Sequence, residues 1–366
     1  MIKPIKYLLF KLIYGKINKI ILPKKDKDIF IKKVNFGKLI NYNLYKIKKG
    51  RIFSDTINNT AYLINNSLIK DVSFQLKLKK NLRMVNGKIN ENFVIKNGTP
   101  KFIKKVDGSV FSLLSGGAAK NNYWHWIFDV LPKIGIFQKS RERSPDFYLL
   151  PSLKKKYQID SLYELNIPIK KLLDGEKYKH IKSHKILSVD HPNVFKNNPS
   201  TSIQNIPFWI IKWLKKQYVN NNKKKTLFPK KIFINRDEDS HTEKRKLVNN
   251  NEVKSFLEKC GFTSVTLSKY EFKKQVKLFN NANFIVGLHG AGFANIVFSK
   301  PKTKILEIKS KSSGNVITNL AKKCSMEYTS YVDRDTKSIN NQDSHTKVDI
   351  EKLKKLIFSL EQRRKH

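Results

Sequence analysis

Cysteine is scarce in this chain of 366 residues, and long hydrophobic runs are absent. Cys260 and Cys324 are its only cysteines, and they fit no metal-binding or redox spacing. Two isolated thiols argue against a disulfide framework and against cysteine-based chemistry. No run approaches the ~18 apolar residues of a membrane-spanning helix, and the N-terminal segment lacks the small-residue cleavage site of a signal peptide. We therefore expect a cytoplasmic protein.

Arginine and acidic residues are also few, which leaves a large excess of lysine. The formal net charge is +45, from 74 basic and 29 acidic residues, and only nine of the basic residues are arginine. Such a charge is compatible with a nucleic acid or an anionic membrane as partner. The lysines are scattered along every segment, however, and Lys, Asn and Ile share A/T-rich codons. We interpret the composition as a solvated surface shaped by genome bias, with weak nonspecific polyanion binding as a consequence.

The length of the chain predicts about two domains, and its 40% hydrophobic residues are sufficient to form their cores. Residues 1–105 form a variable, β-rich region in this interpretation. We predict short strands at Phe30–Ile31, Tyr62–Ile64, Val72–Leu76 and Phe93–Ile95, and turns at Asn86-Gly87, Asn97-Gly98 and Asp107-Gly108.

From Asn122 onward the pattern changes to alternating helices and strands. Residues 106–218 predict a first Rossmann-like domain, in which Pro132 kinks or ends the helix that starts near Asn122. A polar, lysine-rich linker follows at 219–230. Residues 231–340 alternate so regularly that they predict a parallel sheet covered on both faces, and residues 348–366 contain a final helix. The predicted fold class is therefore α/β.

Apolar residues with interleaved lysines occupy the N-terminal segment at near-helical spacing. One interpretation is a helix that lies on a membrane surface. Lys16 and Lys19 count against it, because they would fall on the apolar face of a continuous helix. An ordinary first helix or a frayed tail explains the segment as well. The apolar residues concerned are Ile5, Leu8, Leu9, Leu12, Ile13 and Ile20.

A glycine-rich run, Gly287–Gly292 (GLHGAG), passes directly from a predicted strand into a predicted helix. Ligands of parallel α/β sheets bind beyond the carboxyl ends of the strands, where this run lies. The small residues Gly290, Ala291 and Gly292 let backbone N–H groups approach a phosphate, and His289 adds a donor. A turn of this composition also occurs where glycine serves only tight packing.

Arg236 directly follows another predicted strand, KIFIN, and Arg245 lies nine residues further on. A guanidinium offers phosphate a bidentate fork that lysine cannot reproduce. In a chain that carries nearly all its positive charge on lysine, an arginine at a strand end suggests that the planar shape of the guanidinium is needed there, and not only its charge. The alternative is a salt bridge to Asp237, Glu238 or Asp239.

A third group lies in the run that begins at Asn122 (NYWHWIFD). His125 and Asp129 are four residues apart and share a helix face, so the carboxylate can orient the imidazole as a general base. Trp124 and Trp126 are apolar enough for a core and flat enough to stack on a sugar. A buried histidine with satisfied hydrogen bonds is the alternative for His125.

Together these elements resemble glycosyltransferase family 61. The run SLLSGGAAKNNYWHWIFDVLPKI at 112–134 is similar to the N-terminal signature of that family. The C-terminal half of the family is similar to IFINRDEDSHTEKRKLVNNNEV at 232–253, GF at 261–262, Gln275, ANFIVGLHGAGFANIVFSKPKTKILEI at 282–308 and NVITNLAKKCSMEY at 315–328. The order and spacing agree over about residues 106–332.

The resemblance implies a GT-B architecture, in which two Rossmann-like domains face a cleft. It also implies inverting transfer of a sugar, usually from a UDP donor, to a hydroxyl of a glycan or lipid-linked glycan. The residues that it assigns to the donor are Arg236, Arg245, His289, Gly290, Ala291, Gly292 and, for hydroxyl groups, Glu307. The residues that it assigns to the cleft are Asn122, Trp124, His125 and Asp129, with His125 as our candidate base.

The chain departs from the family at Phe293 and Ala294, where the family usually has a larger aliphatic and a hydroxyl residue, and this predicts an altered donor pocket. The run Asp237–Asp239 reads DED, but we interpret it as a solvated charge run in a loop and not as a metal-binding DxD motif, so we expect no metal and no cofactor. By analogy we expect a role in surface polysaccharide or lipopolysaccharide synthesis, with peripheral attachment to the inner face of an anionic membrane. The alternatives are a basic nucleic-acid-binding protein and a nucleotide-sugar-modifying enzyme.

Overall fold

The computed structural model of the chain forms two compact units, Met1–Ile210 and Ile211–His366. Within the described ranges, no helix combines the length and the hydropathy needed to cross a bilayer. The structure describes residues 3–37, 39–56, 59–78, 82–86, 92, 94–95, 101–115, 122–193, 204–219, 228–236, 246–333 and 345–362.

The first unit contains a ten-stranded mixed sheet and a separate two-stranded hairpin, β7-β8. The strands β9 to β12 pair in parallel in the order β12-β9-β10-β11, and the N-terminal hairpins extend this sheet antiparallel from β12 through β3 and β4. The strands are β1 Lys19–Ile21, β2 Ile29–Asn35, β3 Asn41–Lys48, β4 Arg51–Thr56, β5 Asn59–Ile64, β6 Ser67–Ile69, β7 Phe74–Leu78, β8 Leu82–Asn86, β9 Lys104–Ser112, β10 Phe147–Leu150, β11 Leu172–Asp174 and β12 His180–Val189.

Among the described residues of this part of the chain, four helices have defined bounds, counting one that runs into the second unit. Helix α2 is composite, because a π-helical turn separates two α-helical stretches. The helices are α1 Lys3–Tyr14, α2 (Tyr123–His125, the π turn Trp126–Val130 and Leu131–Lys139), α3 Lys156–Tyr163 and α4 Phe208–Tyr218, and short 3₁₀ turns lie at Pro23–Lys25 and Ile169–Lys171.

The predicted strand at Phe93–Ile95 is wrong, because Val94 and Ile95 are helical. The cause is the buried Asn92, whose Oδ1 accepts hydrogen bonds from the N–H groups of Val94 (3.0 Å) and Ile95 (3.3 Å). A side chain that caps two successive N–H groups starts a helical turn. Val94 and Ile95 therefore belong to the core but not to a strand.

The predicted turn at Asp107-Gly108 is also wrong, because both residues lie within β9. Gly108 has φ +127, and the pairing of β9 with β12 shifts register between Ser183 and Lys185. Glycine here permits an irregular point in a continuous strand instead of a chain reversal. Gly87, Asn97 and Gly98, from the other two predicted turns, lie outside the described residues.

The second unit is a five-stranded, entirely parallel sheet with helices between its strands, as the alternating pattern predicted. The strand order is β14-β13-β15-β16-β17. One core cluster includes Phe233, Val286, Leu306 and Leu353. The elements are β13 Lys231–Ile234, α5 Asn250–Lys259, β14 Thr263–Val265, a 3₁₀ turn Leu267–Lys269, α6 Phe272–Asn281, β15 Phe284–Leu288, a 3₁₀ helix Ala291–Phe298, β16 Lys304–Ser310, α7 Val316–Lys323, β17 Glu327–Asp333 and α8 Ile350–Gln362.

The order of these strands locates a crevice in the second unit. The chain adds β14 on one side of β13 and then β15, β16 and β17 on the other. The loops after β13 and β15 therefore diverge to opposite faces of the sheet. In open parallel sheets, ligands bind at such a topological switch point.

Candidate functional site

Arg236 and the glycine-rich run meet at the switch point of the second unit. Arg236 lies two residues beyond β13, and its Nη1 donates a 2.8 Å hydrogen bond to the carbonyl of His289, directly after β15. The His289 N–H donates in turn to the carbonyl of Ile308 on β16. The two strand ends singled out in the sequence are therefore joined by a side chain whose charge is permanent.

Space, and not backbone conformation, is what a side chain at position 290 would lack. The φ of Gly290, 166°, is extended, a value that any residue adopts. A Cβ at this position, however, would lie 2.6 Å from Nη1 of Arg236. The guanidinium thus occupies the volume that a side chain would need.

Gly287 and Gly292 serve packing. A Cβ added at Gly287 would lie 3.0 Å from Ile234, and one added at Gly292 would lie 3.0 Å from Leu267. Tight packing therefore accounts for Gly287 and Gly292, and the phosphate-binding role of the run stays a prediction. Ala291 and Gly292 are half-buried at the start of the 3₁₀ helix, where an α-helix was predicted.

His289 belongs to a buried hydrogen-bonded chain. Its Nδ1 bonds Oε1 of Glu307 on β16, and Oε2 of Glu307 accepts from the hydroxyl of Tyr328 on β17. Glu307 has no exposed surface, and both its oxygens are engaged within the protein. Burial, together with the nearby charge of Glu307, raises the pKa of Tyr328, so this hydroxyl stays a donor.

Arg245 and the acidic run at Asp237–Asp239 lie outside the described residues, so their predicted roles stay predictions. In the part of the chain that the structure describes, no group of three or more His, Cys, Asp or Glu side chains is placed to hold a metal ion.

The first unit has its own polar cluster, centred on Asp129 in the π turn of α2. Its Oδ2 lies 2.6 Å from Nδ1 of His125, and its Oδ1 accepts from Nδ2 of Asn193. Asp129 is buried, whereas the His125 side chain is 39% exposed. Asn193 thus bonds one oxygen of the carboxylate and His125 the other, while the imidazole remains partly exposed to solvent.

The charges of this pair stabilise each other. Burial alone would lower the pKa of His125, but the charge and hydrogen bond of Asp129 outweigh it and raise that pKa. Burial would likewise raise the pKa of Asp129, but His125 holds it below its usual value. Asp129 is therefore ionised near neutral pH, and it favours the protonated form of His125.

Two further buried bases lie near Asp129. Nζ of Lys133 donates to the carbonyls of Leu113 (2.7 Å) and Ser115 (2.6 Å), and it has no exposed surface. Burial lowers the pKa of Lys133 to about 7 and that of His191 to about 4. His191 is neutral accordingly, and its Nδ1 accepts from the backbone N–H of Asn193 at 3.2 Å.

The two other cleft candidates have structural roles in this fold. Asn122 caps α2, because its Oδ1 accepts from the N–H of Trp124 at 3.0 Å. Trp124 is only 8% exposed, with its ring 4.7 Å from that of Phe128, and this burial favours the core interpretation. Trp126 is fully buried and donates from Nε1 to Ser161.

The helix continues past Pro132 because of the π turn. Proline has no N–H to donate and clashes with the preceding turn of a regular α-helix. The N–H of Leu131 instead reaches back five residues, to the carbonyl of Trp126. The predicted kink is thus a widened turn, and Asp129 lies within it, as π turns often carry functional groups.

Sequence reasoning missed Asn193, His191, Lys133 and Tyr328. A signal existed for the first two, because the run HPN at 191–193 begins two residues after the end of β12, which pairs in parallel with β9. Lys133 could have been identified as the one charged residue in the apolar run LPKIGIF at 131–137. No local pattern marked Tyr328, which reaches Glu307 from a neighbouring strand.

The buried Lys133 predicts a distinctive dependence of stability on pH. Its pKa is about 7 in the fold and ~10.4 in an unfolded chain. Between these values the unfolded state binds more protons, so the free energy of unfolding should rise with pH, by about 3 kcal/mol from pH 7 to pH 9.5. Urea denaturation at the two pH values measures this rise.

Lys133→Met should remove that rise, and Lys139→Met, which alters an exposed lysine of the same helix, should keep it. An equal rise in Lys133→Met and in the unaltered chain would contradict the assignment.

Comparisons with known proteins give one positive result. The family model described as Glycosyltransferase 61 matches residues 123–306, which is half of the chain. The match includes His125, Asp129 and Asn193 of the first unit, and it ends just before Glu307 in the second. A search of curated proteins found no match. Neither alternative, a nucleic-acid-binding protein or a nucleotide-sugar-modifying enzyme, gains support from these comparisons. The chain therefore belongs to glycosyltransferase family 61 and is a glycosyltransferase, acting in general on a sugar donor and a glycan acceptor.

Proposed function

We propose that this glycosyltransferase is an inverting enzyme that moves a sugar from a UDP-sugar to a hydroxyl acceptor. The observation that carries the proposal is the hydrogen bond from Arg236 to the carbonyl of His289 at the switch point of a parallel sheet. It fixes a permanent positive charge beside the backbone of Gly290, where a nucleotide diphosphate would lie in a sheet of this type.

Arg236 supplies the charge that a departing diphosphate requires. A guanidinium held in one plane presents its N–H groups to phosphate oxygens in a fixed geometry. Preorganised positive groups of this kind stabilise negative charge that develops in the transition state. No metal is needed for that step in our proposal.

His289 adds a second group that faces the donor, and Glu307 positions it. Glu307 holds Nδ1 of the imidazole, which directs Nε2 to the opposite side. Because Glu307 is fully buried and already bonds Tyr328, its effect on the donor passes through His289. We therefore assign Glu307 and Tyr328 as positioning residues.

His125 is the proposed general base. Its ring takes the proton of the acceptor hydroxyl while the acceptor oxygen bonds to the anomeric carbon. The bond from that carbon to the UDP oxygen breaks on the opposite face, and UDP leaves with the electron pair. Asp129 stabilises the imidazolium that forms, and Asn193 keeps Asp129 in place.

A substitution of one glycine tests the donor site. Gly290→Ala places a methyl group 2.6 Å from Nη1 of Arg236, so the guanidinium must shift from the position in which it bonds the carbonyl of His289. We expect UDP affinity to fall by about tenfold or more, which corresponds to one charged hydrogen bond. Calorimetric titration with UDP measures the change.

Gly314→Ala is the matched control, because no atom lies within 4 Å of the added Cβ. Its UDP affinity should equal that of the unaltered chain. Equal affinities in Gly290→Ala and Gly314→Ala would mean that Arg236 is not part of the donor site.

The transfer reaction itself is tested with a panel of UDP-sugars, including UDP-xylose, UDP-arabinose and UDP-N-acetylglucosamine, in the presence and absence of EDTA. With water as the acceptor, we expect slow release of UDP from one donor, unaffected by EDTA, and inverted anomeric configuration of the released sugar by NMR before it mutarotates. No release from any donor, or loss of release with EDTA, would contradict the proposal. The GT-B arrangement, the cytoplasmic location and a role in surface polysaccharide synthesis stay predictions.

A further inference from the structure

Helix α1 presents an apolar face that the structure leaves uncovered. Ile5, Leu8 and Leu12 are 48%, 58% and 73% exposed, and their spacing places them on one side of the helix. Six of the fourteen exposed large hydrophobic side chains of the described residues lie between Ile5 and Leu22. A concentration of this kind marks an interaction surface.

The opposite side of α1 is firmly anchored to the first unit. Phe10 stacks on Phe53 with ring centroids 5.2 Å apart, and Tyr14 packs edge-on against His180 at 4.7 Å. Both side chains belong to a buried core cluster. Because one face is fixed in the core, the exposed face cannot turn inward.

The helix ends before the two lysines that counted against a membrane-surface helix. The N–H of Gly15 donates to the carbonyl of Lys11, and Gly15 has φ +75, the left-handed conformation that ends helices. This φ favours glycine, and a Cβ at Gly15 would in addition lie 2.5 Å from the Asn66 side chain. Lys16 and Lys19 therefore lie beyond α1, exposed, and not on its apolar face.

The surrounding charge indicates what covers this face. The first 25 residues contain seven lysines and no acidic residue. Lys16, Lys19, Lys24 and Lys25 are exposed. A second copy of the chain would bring together two molecules of net charge +45, which repel each other. An anionic lipid surface, in contrast, takes up apolar side chains and attracts lysines at once.

We propose that α1 docks the protein onto an anionic lipid bilayer, with Ile5, Leu8 and Leu12 inserted at the level of the headgroups and the nearby lysines against lipid phosphates. This inference does not depend on the proposed sugar donor or on the mechanism of transfer. Nucleotide binding in solution and docking on vesicles are separate measurements, so either proposal can fail alone.

The test is co-sedimentation of the full chain with vesicles at 150 mM NaCl. Vesicles of phosphatidylcholine alone are compared with vesicles that contain 30% phosphatidylglycerol. We expect binding to the anionic vesicles, and a loss of about tenfold or more in partitioning for Leu8→Gln with Leu12→Gln. The control, Val248→Gln with Phe358→Gln, removes two similarly exposed apolar side chains (63% and 51%) elsewhere and should bind as the unaltered chain does.

A second variant reports insertion directly. Leu12→Trp should show a blue shift of tryptophan fluorescence on anionic vesicles. No binding by the unaltered chain would overturn the proposal. Equal binding by the double Leu variant would also overturn it, because the lysines alone would then explain the binding to vesicles. A dimer in sedimentation that the double variant converts to monomer, without vesicle binding, would identify a second copy as the occupant instead.

Discussion

Replacement of His125 by alanine is expected to lower the kcat of sugar transfer by about 10²- to 10⁴-fold, the usual contribution of a general base. The side chain is 39% exposed, and its Nδ1 bonds the carboxylate of Asp129. UDP affinity should not change, because His125 lies in the first unit and the proposed donor site in the second. Steady-state kinetics with calorimetry separates the two effects.

His184→Ala is the matched control for this prediction. His184 is an exposed histidine on β12 of the same unit, with Nδ1 3.0 Å from the carbonyl of Gly108. Its removal should leave kcat within about twofold. Persistent turnover in His125→Ala would show that another group, or water, takes the acceptor proton.

The pairing with Asp129 also predicts the pH profile. A base works only when unprotonated, and Asp129 raises the pKa of His125, so kcat should rise with pH through that pKa. Asp129→Asn removes the charge that favours imidazolium. The acidic limb of the profile should therefore move to lower pH even as the maximal rate falls. An unchanged limb would contradict the assignment of the pair.

Replacement of Arg236 by lysine is the second large expected effect, with a loss of UDP affinity of about 10- to 100-fold. The substitution keeps the charge and removes only the planar fork that bonds the carbonyl of His289. A site that depended on charge alone would tolerate it. The measurement is calorimetric titration with UDP at constant ionic strength.

Arg143→Lys, at an exposed arginine of the first unit, serves as its control and should bind UDP normally. Equal affinity in Arg236→Lys and Arg143→Lys would show that positive charge, and not a guanidinium in a fixed place, holds the diphosphate.

The second unit could be predicted closely from the sequence because its determinants are local. Each strand is a short apolar run and each helix has its own period, so the residues after β13 and β15 were identifiable as strand ends. The sequence could not predict that the guanidinium of Arg236 occupies the space beside Gly290, because this depends on two loops that meet only in the folded sheet. The lack of space for a Cβ at Gly290 is a tertiary fact.

The first unit was less predictable because its polar cluster is assembled from distant segments. The i,i+4 spacing revealed His125 and Asp129, but Asn193 reaches Asp129 from 64 positions away. The error at Gly108 has the same cause, because pairing with the distant strand β12 keeps this residue in a strand. The error at Ile95 has a local cause, because the side chain of Asn92 caps its N–H group from three positions away.

The most direct test of the account is calorimetric titration of the full chain with UDP, ADP, GDP and CMP at 50 and 300 mM NaCl. A nucleotide-sugar site at the switch point of the second unit predicts saturable, micromolar binding of UDP in preference to the others, with affinity that changes little with salt. Affinities that follow phosphate charge alone and collapse at the higher salt concentration would contradict it, because the lysine-rich surface would then be what binds.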